Sequence, residues 1–491
     1  MHRLRQNTTP WRFSARRSGL RTSVSALMVM TVSSLGCSPS SLVDVQSPSN
    51  VVEPSQVETA AGAAQLRTYV FPLILGVLGR GPTSIMAMSG TLTDELQDIS
   101  YDGTSGDDRN VLNAAASKNA GGYGYDDIQT LRVNARQALQ ALQLYASNTP
   151  TVPRAWQGEM FAFEAYSITW LAELYCSGIP LSESSLKGAQ IPTRGLTTQE
   201  LYTTAVALFD SAIVAGADSA RFVNLARVGK ARALLDMGQF VAADSVVQSV
   251  PTDFFYLLNP TTNTGSFGVF FFPIDEARGY IWRVQDHEGG NGLVWSEDPR
   301  TAVVTVPSLT GAMLWPAKYN VDSATGLPDP TTEPSFRSVR LADGLEARLI
   351  QAEAELAMGN ANWLPILNTL RATCVGTAAC APRPGLTSAS LPPLTDPGSA
   401  TRLDTLMKER AMWLYLTGHR EGDLRRMAHL YSRDPNTLWP TGIMVEPAYP
   451  PRFPNPGVQN GSRYGSDMVY GPDVNEMLRN SLYGGCYDTN P

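Results

Sequence analysis

The chain has 491 residues, with 45 acidic and 38 basic side chains and a formal net charge of −7. An acidic balance of this kind excludes nucleic acid as a main partner, because phosphate binding draws on an excess of Lys and Arg. The length exceeds what a single hydrophobic core usually holds. No charge run or low-complexity linker divides the chain, so one large unit or two closely packed parts are expected.

Residues 1–36 contain Arg3, Arg5, Arg12, Arg16, Arg17 and Arg21 and no acid. An apolar run from Val24 to Val32 follows, then Ser34-Leu35-Gly36-Cys37. A basic start, a short apolar core and small residues read as a secretory signal. The run is too short to span a bilayer as a helix. Cys37 after Leu-Gly resembles a bacterial lipobox, with Leu35 one place later than the usual pattern. That resemblance implies cleavage before Cys37 and its acylation; an ordinary cleaved signal is the alternative. Cleavage removes six of the 38 basic residues and no acid, which leaves 32 against 45 and a mature charge of −13. Residues 37–55, rich in Ser, Pro, Val and Asn, read as a flexible tether. No later stretch reads as long and apolar enough to cross a membrane.

Residues 56–491 are expected to form one mainly α domain. Helices are expected over Val57 to Leu78 and Tyr125 to Tyr145. Pro153 to Cys176 reads as a strong helix, with Trp156, Met160, Phe163, Trp170, Leu171 and Leu174 at helical spacing. Thr197-Thr198-Gln199-Glu200 offers a capping box ahead of Leu201, Ala205 and Leu208. Asn224 to Pro251 reads as a helical hairpin that turns at Gly238, and Met237 to Ala243 resembles the middle of a tetratricopeptide repeat. Leu341 to Cys374 reads as a second hairpin turning at Gly359. The helical hairpins thus cover about 125–250 and 341–431, and such hairpins bury a continuous core by stacking. The parts at about 251–340 and 432–491 are rich in Gly, Pro, Asn and Tyr and read as irregular, with one expected strand at Phe267 to Phe272.

Near the end of the helical part, Lys408 to Met427 reads KERAMWLYLTGHREGDLRRM. Leu403, Leu406, Met407, Ala411 and Leu414 give one apolar face, and Gly418 falls where the periodicity stops. Glu409, Arg410, Arg420, Asp423 and Arg425 lie close enough across the turn to pair. Charges this dense beside an apolar face are rarely buried unpaired. The segment therefore reads as an ion-paired junction between two helices; catalysis by His419 is the lesser alternative.

Five cysteines become four once Cys37 is set aside, and an exported chain meets an oxidising compartment. Cys374 and Cys380 can close a local loop, which leaves Cys176 and Cys486 to pair; the sequence alone leaves this connectivity open. No metal-ligand spacing accompanies them.

Catalytic signatures are missing: there is no H-E-x-x-H, G-x-S-x-G, P-loop or Rossmann fingerprint. Neither a catalytic residue nor a cofactor is assigned. The irregular part instead holds Tyr280, Trp282, Trp295, Trp315 and Arg283, whose flat faces and donors suit sugar rings and hydroxyls. Tyr101 in an acidic, Gly-rich loop is a further ligand-binding candidate. Packing of a poorly regular subdomain is the competing role for each aromatic.

Glu409-Arg410, Leu414, Gly418-His419-Arg420 and Asp423-Leu424-Arg425-Arg426 resemble the C-terminal signature of SusD/RagB-type nutrient-binding lipoproteins, E-R-x-x-E-L-x-x-x-G-H-R-x-x-D-L-R-R. Trp413 stands where that pattern has its second Glu. Leu42 to Val45 with Pro48 resembles the opening L-D-V-x-x-P, and Pro440-Thr441-Gly442 with Tyr464 to Asp467 resembles a motif of the tail. The resemblance implies a superhelix of tetratricopeptide-like hairpins with a loop-rich subdomain. It also implies an outer-membrane lipoprotein facing the cell exterior, anchored through Cys37. Such a protein captures a glycan or peptide fragment and passes it to a SusC-like TonB-dependent transporter, without catalysis or cofactor. A surface glycoside hydrolase and a helical-repeat protein-binding scaffold are the rival readings.

Overall fold

The computed structural model describes residues 58–79, 81, 83–98, 109–114, 124–147, 149–184, 186, 190–259, 282–284, 286–287, 292–308, 311–316, 318, 339–373, 391–443 and 463–490. The signal, Cys37, the tether and the expected strand at Phe267 to Phe272 lie outside these residues. So do Tyr101, Tyr280, Cys374 and Cys380.

The chain is mainly α. Its helices are α1 (Ala60–Gly79), α2 (Ile85–Leu92), α3 (Val111–Ala114), α4 (Tyr125–Ala141), α5 (Ala155–Leu174), α6 (Thr198–Ala215) and α7 (Ala220–Asp236). They continue with α8 (Phe240–Val247), α9 (Gly344–Ala357), α10 (Trp363–Thr373), α11 (Arg402–Leu414), α12 (Arg420–His429) and α13 (Val474–Arg479). From α4 to α10 each helix packs on the next, which makes a continuous stack. Local chemistry sets the boundaries. Thr197 and Glu200 form the expected capping box at the start of α6. Asp343 caps α9 by accepting from the Glu346 amide at 2.8 Å.

The two hairpin turns use one motif. After α7 the Gly238 amide bonds Leu235 and the Gln239 amide bonds Leu234; after α9 the Gly359 amide bonds Leu356 and the Asn360 amide bonds Glu355. Gly238 and Gly359 hold φ of 70° and 77°, the left-handed cap that glycine adopts without strain.

Between α8 and α9 the chain makes a long excursion and returns to the same place. Strand Phe255–Leu258 pairs antiparallel with Val339–Asp343, Leu258 opposite Val339 and Phe255 opposite Asp343. This two-stranded clasp delivers α9 onto α8. Leu341 is therefore a strand residue; the second hairpin starts at Gly344 rather than at Leu341. The excursion itself contains an antiparallel hairpin, Val303–Ser308 with Gly311–Pro316. Its signal in the sequence is the β-branched run Val303-Val304-Thr305-Val306, which lies inside the part expected to be irregular.

Helix α5 is the hub, with contacts to α1, α2, α4, α6, α7 and α12. It is buried nearly all round, including Glu159, Glu164 and Glu173. Each glutamate meets an arginine from another element: Arg67, Arg136 and Arg232 respectively. Buried carboxylates need such partners. Arg67 lies on α1, which alters one expectation. With a mean hydropathy of 1.3 over its apolar window, α1 meets the length and composition of a membrane span. Its side chains place it in the fold all the same: Val70, Ile74, Leu75 and Leu78 enter the core, and Arg67 Nε bonds Glu159 at 2.6 Å. A second apolar cluster gathers Leu349, Trp363, Leu367, Leu406, Trp413 and Leu424 from α9 to α12.

Cys176, just beyond α5, is disulfide-bonded to Cys486, with Cα atoms 5.7 Å apart. The tail also pairs by backbone: Cys176 N bonds Tyr470 O at 3.0 Å and Ser177 N bonds Asp488 O at 2.9 Å. Replacing both cysteines by serine is expected to cost roughly 2–5 kcal/mol of stability. Urea unfolding under non-reducing conditions measures the loss, and limited proteolysis is expected to trim the tail first.

Candidate functional site

The densest polar constellation is the junction from α11 to α12. Helix α11 stops at Leu414, and Leu416 takes the left-handed turn at φ 51°. The helix thus ends four residues before Gly418, where the periodicity had suggested the break. Of the charges expected to pair across the turn, Arg410 and Asp423 do so, at 2.8 and 3.1 Å. The others reach outward. Glu409 takes Arg300 and Arg371, each at 2.7 Å. Arg420 grips Asp94 beyond α2 at 2.8 and 3.1 Å. Arg425 donates to the carbonyls of Ala172, Glu173 and Tyr175, the otherwise open C-terminal end of α5.

Arg426, which is not among the charges expected to pair across the turn, is the centre. It bonds Glu353 through two nitrogens at 2.6 and 2.8 Å, Asp236 at 2.6 Å and Asp423 at 2.7 Å. Glu353 also receives Arg410 at 3.1 Å and Tyr431 at 3.2 Å. The i, i+3 spacing of Asp423 and Arg426 was the available signal. At Trp413, where the related pattern carries Glu, the Arg300 guanidinium sits 5.0 Å from the ring centroid. A cation–π contact replaces the missing ion pair.

His419 is a structural group. Arg232 Nη1 lies 2.8 Å from its Nε2, and Thr417 Oγ1 lies 2.8 Å from its Nδ1. Because Arg232 only donates, the network assigns a neutral ring that accepts at Nε2 and donates from Nδ1. Burial and then Arg232 lower its pKa, which agrees. Glu346 Oε1 lies 3.0 Å from the same Nε2 but outside hydrogen-bond alignment. With 7% exposure, the ring touches no solvent-open surface suited to catalysis.

The expected ligand contacts fall into three groups. Trp295 and Trp315 are 0% and 1% exposed, so they are core residues and present no face to a ligand. Trp295 lies 5.0 Å from the Tyr415 ring, with the Arg420 guanidinium 5.8 Å away. Asp286 Oδ1 accepts from its backbone amide at 2.7 Å. The physical reason is area: a large ring gains most by covering the charged layer beneath it. Arg283 is half-buried and donates to Gln97; Trp282 pairs by backbone with Asp98. Gln97–Asp98 and Trp282–Arg283 form one antiparallel strand pair. Tyr101 and Tyr280 lie outside the described residues.

Two grooves indent the described surface near the junction. One, of about 270 Å³, lies between the start of α6, α12 and the tail, and Asp236, Arg425 and Arg426 reach it. The other, of about 430 Å³, lies between α11, α12 and Leu293. Among the described residues no cluster of His, Cys, Asp and Glu is arranged to hold a metal ion.

No family model matches this sequence. No curated protein matches it either. Solved structures do. The chain is similar to B. fragilis NanU with a TM-score of 0.60 and 12% identity, over 90% of this chain and 99% of that one. A SusD/RagB family protein from Bacteroides thetaiotaomicron aligns with a TM-score of 0.58 and 13% identity, over 86% and 97%. A laminarin-binding SusD-like protein aligns with a TM-score of 0.51 and 14% identity, over 76% and 92%. The fold is therefore SusD-like across most of the chain. At such identities the likeness is one of fold.

The buried carboxyls give the molecule an unusual pH profile. Burial would raise Asp423, but Arg410 and Arg426 overcome it and hold this carboxyl far below the usual range. That stability is in place above the unfolded Asp pKa of about 3.9 and is lost as pH falls toward the folded value. Glu95 and Glu421 behave oppositely. Burial pushes each up to about 8 despite the pull of Arg420 on Glu95 and of Arg425 on Glu421. From the unfolded Glu pKa of about 4.3 up to those values, the native state holds protons that the unfolded chain has shed. Stability therefore falls as pH rises through that window, by up to about 1.4 kcal/mol per pH unit for each group. Thermal melts are expected to show the highest Tm near roughly pH 4–5 and a decline toward pH 8. Glu421→Gln is expected to flatten that decline; a Tm that climbs from pH 5 to pH 8 contradicts the assignment.

Proposed function

We propose that this protein captures a glycan at the outer surface of the cell and passes it, chemically unchanged, to a TonB-dependent outer-membrane transporter. The carrying observation is the SusD-like fold, which spans 97% to 99% of two solved relatives. A laminarin-binding SusD-like protein among the similar structures favours a carbohydrate over a peptide. The sequence supports the location. Residues 1–36 act as an export signal, Cys37 carries the lipid, and residues 37–55 tether the domain formed by 56–491. Acyl chains bury methylenes at about 0.8 kcal/mol each, so two or three chains hold the protein firmly at a membrane.

With Trp295 and Trp315 in the core, recognition falls to the remaining candidates: Tyr101, Tyr280, Trp282 and Arg283. The pairing of Gln97–Asp98 with Trp282–Arg283 supports grouping them, because Tyr101 and Tyr280 follow and precede these paired strands by three and two residues in the sequence. Aromatic faces there stack on the C–H faces of sugar rings while Arg283 takes hydroxyls.

Binding and fractionation measurements test the proposal. Affinity electrophoresis against a panel of soluble glycans is expected to show retardation by at least one of them. Trp282→Ala is expected to reduce it, at a cost of about 1–3 kcal/mol for a lost stacking face. In the native host, tagged wild-type protein is expected to fractionate with the outer membrane and co-purify a TonB-dependent barrel, and Cys37→Ser is expected to leave that fraction. Release of new reducing ends from any bound glycan overturns the binding role in favour of hydrolysis.

A further inference from the structure

The 430 Å³ pocket between α11 and α12 has a composition that the glycan reading does not use. Its floor is apolar: Leu293, Met407, Met427 and Leu438 are each no more than 7% exposed. Its volume lies within the range of small-molecule sites, and polar and charged residues outnumber the four apolar ones in its lining.

The charges at its rim do not cancel. Arg433 Nη2 pairs with Asp404 Oδ1 at 2.7 Å across the mouth. Arg420, at the inner end, is already neutralised by Asp94. Lys408 stands on the exposed face of α11, one turn beyond Asp404 and Thr405, and has no hydrogen-bond or ion-pair partner among the described residues. One positive charge is thus left over in the lining of the pocket. Thr405 lies on the same face of the helix and adds a hydroxyl beside it.

We propose that this pocket binds a compact monocarboxylate, with the carboxylate on the Lys408 ammonium and the body on the floor of Met407, Met427 and Leu438. An unpaired ammonium in the lining beside buried apolar side chains favours an anion that brings its own apolar surface. Methionine floors adapt to irregular shapes, so the body is a ring or short chain rather than one fixed outline. Two sources share this chemistry: an acidic sugar residue and a small hydrophobic acid. The pocket is separate from Trp282 and Arg283, so the proposal stands or falls independently of where a neutral glycan binds.

Isothermal titration of the mature protein with glucuronate, benzoate and neutral glucose tests it. Saturation by glucuronate alone identifies an acidic sugar; saturation by benzoate alone identifies a hydrophobic acid; glucose is expected not to bind here. Lys408→Met is expected to weaken carboxylate binding roughly tenfold or more, while Lys408→Arg retains it. Lys408 is exposed, so unchanged Tm in both variants keeps the comparison one of binding. Thr405→Trp, which fills the mouth, is expected to abolish the signal. Failure of both carboxylates to bind, or binding that Lys408→Met leaves unchanged, overturns the proposal.

Discussion

The structure depends on neutralising carboxylates that its helices carry inward. Glu353 is 0% exposed, yet it sits on α9 in the middle of the fold. Its charge is tolerable because Arg426 from α12 and Arg410 from α11 both reach it. Arg426 in turn holds Asp236 at the end of α7 and Asp423 on its own helix. Four helices thus meet in one charged cluster, and none can withdraw without stranding a buried charge. Such a cluster adds little net stability compared with an apolar core, but breaking it is costly. Losing any one of its partners therefore costs more than the cluster as a whole contributes.

The same logic runs along α5. Its three buried glutamates are each claimed by an arginine from a different helix, α1, α4 and α7. Arg425 then seals the carbonyl end of α5, and the Cys176–Cys486 bond fixes the tail at that end. The hub helix is held at its side and at its end by charge, and beyond its end by a covalent link.

What the sequence disclosed follows from the range of each interaction. The turns at Gly238 and Gly359 and the cap at Thr197 involve residues within five positions, so local patterns expose them. The Arg410–Asp423 pair spans 13 residues, and it was legible because both lie in the one charged segment around the turn at Gly418. Arg426 with Glu353 is separated by 73 residues, and Arg420 with Asp94 by 326, so no window on the sequence reveals them. Trp295 shows a different limit. Its Gly- and Asn-rich neighbours mark a loop, but composition is silent about which way a ring faces, and here Tyr415 and Arg420 draw it inward. Helix α1 shows a third. Its hydropathy matches a membrane span, while the Arg67–Glu159 contact and the burial of Val70, Ile74, Leu75 and Leu78 show that it packs into the fold.

A double-mutant cycle on Arg426 and Glu353 tests this account most directly. Arg426→Met and Glu353→Leu alone are each expected to cost about 3–5 kcal/mol in urea unfolding, because each strands a buried charge. Together they are expected to cost at least about 2 kcal/mol less than the sum. Additive losses, within about 0.5 kcal/mol, would contradict the claim that one coupled charge cluster holds the helices in place.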